Sequence, residues 1–136
     1  MKIIKPIIGI LLVAILVSSC SSNFGKKETE GNIEVYYKDG VTKEEAKSLA
    51  NLLYSSDRAV QNEERKKSVQ AIRRGDTVIF RMVMADPKQA AGVKEEVMWN
   101  MAAVISDSIF KNAPVNVELT DNRFKTVRTI VYKNIE

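Results

Sequence analysis

The sequence contains no histidine, and its only cysteine is Cys20. Without histidine, the chain can have no histidine-dependent catalytic triad, no histidine metal site and no histidine general base. A single thiol has no partner for an intramolecular disulfide. The sequence also lacks a phosphate-binding glycine loop and a Ser-x-x-Lys nucleophile motif. These absences exclude several of the common hydrolytic and zinc-dependent chemistries.

Carboxylate chemistry is the enzymatic option that this inventory leaves open. Aspartate is favoured in turns because its side chain forms local hydrogen bonds, a reason unrelated to catalysis. Five aspartates mostly occupy predicted turns or a helix face: Asp39, Asp57, Asp76, Asp107 and Asp121. We therefore predict that the protein is not an enzyme, and we keep a periplasmic enzyme that uses carboxylates as the alternative.

The longest apolar stretch lies at the N-terminus and is short for a membrane span. Residues 1–5 include two lysines, residues 6–17 are uncharged and strongly apolar, and two serines then precede Cys20. This pattern is typical of a secretory signal peptide. A transmembrane helix is the weaker interpretation, since about 20 apolar residues are needed to cross a bilayer.

The end of this segment resembles the lipobox of bacterial lipoproteins, an aliphatic residue and two small residues before an invariant cysteine. Val17 takes the aliphatic position, Ser18 and Ser19 the small positions, and Cys20 the last. The resemblance implies that residues 1–19 are cleaved and that Cys20 carries diacylglycerol and an N-acyl chain, with no other cofactor expected. Two or three chains anchor firmly, at about 0.8 kcal/mol per buried methylene. The alternative is a chance cysteine at an ordinary cleavage site, or a thiol kept for disulfide pairing.

The predicted mature chain has two parts. Residues 20–31 are polar with two glycines, and we expect them to form a flexible tether behind the lipidated cysteine. Residues 32–136 are predicted to form a single domain. Ser21 follows the cysteine, which by the lipoprotein sorting rule implies the outer membrane in an organism with two membranes. Otherwise we expect the outer face of the cell membrane.

Positive charge is only in slight excess. Cleavage of residues 1–19 would remove two lysines and no acid, which lowers the formal net charge from +4 to +2. A nucleic-acid-binding domain usually has a strongly basic face. We therefore expect no nucleic acid among the partners.

The first half of the domain begins with a strand over residues 33–37, where β-branched and aromatic residues dominate. A helix follows, with Thr42 as N-cap and Glu45 completing a capping box. We expect Ser55 and Ser56 to end this helix. Residues 57–67 are charged and without pattern, and they are predicted to be a loop or a short second helix.

The second half contains two predicted hairpins around a helix. Residues 68–73 and 77–84 form the first hairpin, and the second strand has apolar residues on both faces, as an interior strand does. Asp86 caps a helix that runs to about residue 111. Strands over 115–120 and 124–132 follow. The order β-α-β-β-α-β-β predicts an α+β, two-layer domain, a largely antiparallel sheet with two helices on one face.

The globular part resembles small domains of bacterial envelope lipoproteins. The features are the Tyr36-Tyr37 strand, the Gly-x-Thr-x-x-Glu-Ala helix start at residues 40–46, and the paired hairpins. The resemblance implies a fold and no functional residues.

Two surfaces are candidates for binding. The second helix is apolar nearly all round, and a two-layer domain covers one side of a helix, so Trp99, Ala103 and Phe110 could form an interaction face. A wide core contact is the alternative. The other candidate is a basic patch, which could instead be the charged edge of a strand. It comprises Arg65, Lys66, Lys67, Arg73 and Arg74.

The sequence therefore predicts a lipid-anchored protein of the cell envelope with a small, non-catalytic binding domain. The expected partners are the membrane, another envelope protein or a second copy of the chain. The alternatives are the carboxylate enzyme and a structural domain held against the membrane that binds anionic lipid or envelope polymer.

Overall fold

The structure, a computed structural model, describes residues 23–59 and 65–133. The predicted signal peptide, Val17, Ser18, Ser19 and Cys20 lie outside these residues. The strands are β1 Lys26–Glu30, β2 Ile33–Lys38, β3 Lys67–Arg74, β4 Thr77–Val83, β5 Val115–Thr120 and β6 Thr126–Ile130. The helices are α1 Lys43–Ala59 and α2 Glu95–Ile109, with a 3-10 helix over Pro87–Gly92. None of the helices in these two ranges is long and apolar enough to cross a membrane.

The strands form one six-stranded sheet in sequence order, β1 to β6. The hairpins β1–β2, β3–β4 and β5–β6 are antiparallel, whereas β2–β3 and β4–β5 are parallel. The α+β class with two main helices is confirmed. The prediction of a largely antiparallel sheet is wrong, since the sheet is mixed. Each helix returns the chain to the end where the preceding strand began, and the next strand therefore runs parallel to that strand.

The first strand, β1, lies within the segment predicted to be a flexible tether. Its sequence, Lys-Lys-Glu-Thr-Glu, has no apolar residue, and it pairs with β2 through the backbone. The tether prediction is therefore wrong for Lys26–Glu30, and the domain begins before residue 32. A charged edge strand resists pairing with other chains, which explains a composition that looks like a linker.

Both helices cover the same face of the sheet, which we call the helix face. One continuous apolar core joins α1, α2 and the inward side chains of the interior strands. Its helix residues are Ala46, Leu49, Ala50, Met98, Ala102 and Ile105, and its fully buried strand residues include Val35, Ala71, Phe80 and Val117. The opposite face, which we call the polar face, presents Tyr36, Gln70, Arg81 and Glu118 at successive paired positions of the strands, and Glu34 lies on it two residues before Tyr36.

The two helical crossovers have opposite hands. Each one steps in the same direction across the sheet, from β2 to β3 and from β4 to β5, but β4 runs antiparallel to β2. Two such crossovers on the same face must be of opposite hand, so one is left-handed. About 98% of such connections are right-handed. Burial explains the left-handed crossover, since only the helix face of the strands is apolar enough to pack against both helices.

The start of α1 follows the sequence prediction and its end does not. The Thr42 N–H donates to Glu45 Oε1 at 3.0 Å and the Glu45 N–H donates to Thr42 Oγ1 at 3.1 Å, which confirms the capping box. The helix continues to Ala59, past the serines expected to end it. The Ser56 hydroxyl donates to the Leu52 carbonyl one turn earlier at 3.0 Å, so the serine is accommodated within the helix.

The predicted second helix is divided in two. Asp86 Oδ1 accepts from the Lys88 N–H at 3.0 Å and caps the 3-10 helix, after which the backbone is extended at Val93. Helix α2 begins only at Glu95. Arg128 of β6 stabilises the break, because its Nη1 donates to the Ala90 carbonyl at 2.8 Å and to the Val93 carbonyl at 2.6 Å. This contact joins distant parts of the chain and has no signal in the local sequence.

Two glycines with positive φ give a matched test of the fold. Gly25 has φ +94°, and a Cβ there would lie 2.3 Å from the backbone oxygen of Tyr37. Gly75 has φ +63° with nothing within 4 Å of such a Cβ. We expect Gly75→Ala to lower the free energy of unfolding by about 1 kcal/mol, the cost of a left-handed conformation, and Gly25→Ala by about 3 kcal/mol. Urea unfolding followed by Trp99 fluorescence measures both, and equal losses would contradict the clash at Gly25.

Candidate functional site

An apolar cleft of about 460 Å³ lies between α1, α2 and one end of the sheet. Small-molecule sites are commonly about 300–1,000 Å³ and mainly apolar, so this cleft has an appropriate size and lining. Its apolar walls come from three strands and both helices. They are Ile33, Leu53, Val69, Phe80, Met82 and Met101.

The mouth of the cleft is polar and positively charged. Ser56 of α1 and Ser68 of β3 line it together with Arg65, Lys66 and Lys67. These cations gather here because residues 65–67 lead directly into β3, whose first residues form one end of the cleft. The arrangement offers apolar volume inside and cations at the entrance.

Lys66 forms an ion pair with an acid of the polar face. Its Nζ lies 2.5 Å from Glu34 Oε1, and Lys27 Nζ lies 3.7 Å from the same oxygen. Burial alone would raise the pKa of Glu34, but the hydrogen bond from Lys66 and the charge of Lys27 bring that pKa below its usual value. The hydrogen bond to Glu34 raises the pKa of Lys66. Both groups are therefore charged near neutral pH.

The polar face carries a second ion pair. Arg81 Nε donates to Glu118 Oε1 at 2.8 Å, and Arg81 Nη1 donates to Gln70 Oε1 at 2.9 Å. Thr126 Oγ1 donates to Glu118 Oε1 at 2.7 Å. Burial would raise the pKa of Glu118, but Arg81 and the Thr126 hydroxyl lower it overall. Buried polar groups of this kind are stable because each has a partner.

In the part of the chain that the structure describes, the carboxyl groups with shifted pKa values all shift in the same direction. Glu34, Glu45, Glu118 and Asp121 have pKa values below the usual range. A carboxylic acid that donates a proton near neutral pH needs a raised pKa. Within residues 23–59 and 65–133, no three acidic or cysteine side chains are grouped so that they could hold a metal ion.

The three residues of the predicted interaction face do not form one exposed surface. Phe110 is 2% exposed and belongs to the core, because α2 ends at Ile109 and the chain then turns inward. Trp99 is half-buried against the core, with Lys133 Nζ 4.6 Å from its ring centroid. Ala103 is also half-buried. The prediction is therefore wrong for Phe110, and the wide core contact describes this helix better.

The predicted basic patch is divided between two places. Arg73 lies on the helix face, where its Nη1 and Nη2 each donate to a Glu45 carboxylate oxygen at 2.6 Å. This bidentate contact raises the pKa of Arg73 and ties β3 to the start of α1. Arg74 is exposed at the turn, about 23 Å along the strand from Lys67. Of the predicted cations, only Arg65, Lys66 and Lys67 line the cleft.

Sequence reasoning missed the cleft for a physical reason. Each wall residue is an ordinary apolar position of its own strand or helix, and nothing local distinguishes Met82 or Met101 from other core residues. A signal was available in part, since the basic run at residues 65–67 precedes a buried strand. Methionine is also common where an apolar surface adapts to a ligand.

Comparison with known proteins relates the chain to a protein family. The family model of the AF_1994_N family N-terminal domain matches residues 27–131. The match therefore covers β2 to β6, both helices and all of β1 except Lys26. No curated protein and no solved structure matches the chain.

Proposed function

The chain belongs to the AF_1994_N family N-terminal domain, and we propose that it is a lipid-anchored binding protein of the cell envelope. The matched residues 27–131 are the binding domain. Residues 1–20, ahead of it, supply the signal peptide and the lipidated Cys20. In this proposal the domain binds an amphiphile and catalyses no reaction.

The apolar cleft with a cationic mouth is the observation that carries this proposal. An elongated apolar chain would bury its surface against the half-buried Leu53, Met82 and Met101, and burial of apolar surface contributes about 25 cal/mol per Å². The charge at the mouth selects the other end of the ligand. The positive potential of residues 65–67 favours an anionic group, such as a carboxylate or a phosphate, over a cationic one.

Displacement of a fluorescent long-chain fatty acid from the full chain tests ligand binding. We expect a saturated fatty acid to compete and an alkyl trimethylammonium of equal length to compete at least about tenfold less well. Met101→Trp narrows the cleft and should weaken binding about tenfold, whereas Val104→Trp, on the exposed side of the same helix, should not change it. Equal affinity for the two amphiphiles, or equal effects of the two variants, would contradict the proposed cleft.

Mass spectrometry of the membrane-extracted chain tests the anchor. We expect a mature N-terminus at Cys20 that carries the mass of diacylglycerol and an acyl chain. The Cys20→Ala variant should carry neither of these lipid groups. The Cys20→Ser variant replaces the thiol by a hydroxyl of similar size and should also remain unmodified. Recovery of the unvaried chain with a free Cys20 thiol would disprove lipid anchoring.

A further inference from the structure

An aromatic cluster lies over the polar face of the sheet, close to the start of the described chain. The ring centroids of Phe24 and Phe124 are 5.2 Å apart, and those of Phe124 and Tyr36 are 5.7 Å apart. Phe24 precedes β1, whereas Phe124 belongs to the turn between β5 and β6. The cluster therefore brings a residue next to the first edge strand, β1, into contact with a residue next to the last edge strand, β6, on one face of the sheet. Phe24 is 37% exposed, whereas Phe124 lies beneath it and is buried.

The residues just after the proposed anchor are held to this side of the domain. Gln70 Nε2 donates to the Phe24 carbonyl at 3.0 Å, and Lys38 Nζ donates to the Asn23 carbonyl at 3.0 Å. Gly25 fits only because it lacks a side chain, since a Cβ would meet the Tyr37 carbonyl. Asn23 is therefore part of the folded domain.

The connection from Cys20 to this surface is short. Three residue steps separate Cys20 from Asn23, and even a fully extended chain covers only about 10 Å over that length. A domain of about 100 residues has a radius of gyration near 13 Å, so it is more than twice as wide as the connection is long. The lipid chains can therefore enter a bilayer only on the side of the domain where Asn23 lies.

The same side carries cations that are available to a lipid surface. Arg123 and Lys125 are exposed. Lys27 is exposed as well, but its Nζ lies 3.7 Å from Glu34 Oε1 and 5.8 Å from the Tyr36 ring centroid. The acids of the polar face, Glu34 and Glu118, are each bound to a cation.

One further carboxylate lies beside these cations. Asp121 Oδ1 accepts from the backbone N–H groups of Arg123 and Lys125 at 2.9 Å each, so it shapes the turn that presents the two side chains. Their positive charges remain in excess over this one acid.

We propose that the polar face, with Phe24 and the surrounding cations, lies against the anionic surface of the bilayer that holds Cys20. This inference rests on the lipid anchoring proposed above. Aromatic and basic side chains are suited to the headgroup region, where an apolar body and a polar or charged end are both accommodated. The helix face then points away from the membrane, and with it the cleft and the exposed Val97 and Val104.

Tryptophan quenching by brominated phospholipids tests this orientation in the lipidated full chain. The natural tryptophan is single, so Trp99→Phe provides a background for one reporter at a time. In vesicles that contain phosphatidylglycerol, we expect Phe24→Trp to be quenched to less than about half its intensity, and Val104→Trp to keep its intensity. Replacing Arg123 and Lys125 together by glutamate should reduce the quenching of the Phe24→Trp reporter.

The outcomes distinguish a failure of the proposed orientation from a failure of the proposed lipid anchor. Mass spectrometry of the same vesicles shows whether Cys20 is lipidated. A lipidated chain whose Phe24→Trp reporter is unquenched, or is quenched no more than the Val104→Trp reporter, would overturn the orientation and leave the anchor in place. A chain without lipid would overturn both. Near-ultraviolet circular dichroism matched to that of the unvaried chain verifies that each reporter variant is folded.

Discussion

Replacing Arg81 by methionine lowers the free energy of unfolding by about 3 kcal/mol at neutral pH, and acid removes much of this loss. The cost arises because Glu118, which is 7% exposed, keeps its charge but loses the guanidinium 2.8 Å away. Methionine retains most of the aliphatic volume of arginine. Urea unfolding of both chains over a range of pH measures the difference.

The pH dependence follows from the direction of the pKa of Glu118. In the unvaried chain this pKa lies below the usual value of 4.5, so the stabilisation is complete above pH 4.5 and is lost as the pH falls through the folded pKa. Without Arg81, the hydrogen bond and positive charge that lower the pKa of Glu118 are lost. Burial then raises this pKa above its value in the unfolded chain. The folded variant then binds the proton more readily than the unfolded chain does, so its deficit shrinks on acidification.

A double variant is the control for this prediction. Arg81→Met with Glu118→Leu removes both charges, and we expect it to recover at least half of the loss at neutral pH, because no unpaired charge remains in the sheet. The Glu118→Gln variant should lose the pH dependence that comes from this group. If Arg81→Met lowered the free energy of unfolding equally at neutral and acidic pH, the loss would come from packing and not from the charge of Glu118.

Replacing Phe80 by alanine lowers the free energy of unfolding by about 3–5 kcal/mol. Phe80 is fully buried on an interior strand and lies in the continuous core between the two helices. Its ring also forms part of the cleft wall, so the volume left by the substitution would join the existing 460 Å³. The neighbouring structure can therefore close the cavity only by losing the cleft.

Two comparisons make the Phe80 prediction specific. Phe80→Leu keeps most of the apolar volume and should cost less than half as much as Phe80→Ala. Met82 lines the same cleft but is half-buried, and Met82→Ala should also cost less. Urea unfolding followed by far-ultraviolet circular dichroism gives all three values. A loss below about 1 kcal/mol for Phe80→Ala would mean that the core repacks around the site.

Local signals predicted those elements whose stabilising contacts are themselves local. The Thr42 and Glu45 capping box lies within one helical turn. The hairpin of β3 and β4 turns at Gly75, as the short polar interval between two apolar segments indicates. The apolar residues on both faces of β4 correctly indicated an interior strand.

Elements stabilised by distant residues were mispredicted. The strand β1 has no apolar pattern and depends on pairing with β2. The break before α2 depends on Arg128, which is 35 residues away in sequence from Val93. Phe110 was expected at the surface because its position continues the pattern of α2, but the helix ends one residue earlier and places the ring in the core.

The sequence by itself determined the α+β class, the capped start of α1 and the prediction of a lipidated Cys20, because these depend on short segments and on composition. Only the tertiary structure decided the parallel pairings, the opposite hands of the two crossovers, the cleft and the aromatic cluster at Phe24. Each of these depends on residues far apart in the chain. Strands pair through backbone hydrogen bonds, so the choice of partner strand leaves no pattern in the residues of either strand. Burial of the single apolar face of the sheet selects that arrangement, and the cleft and the polar face both result from it.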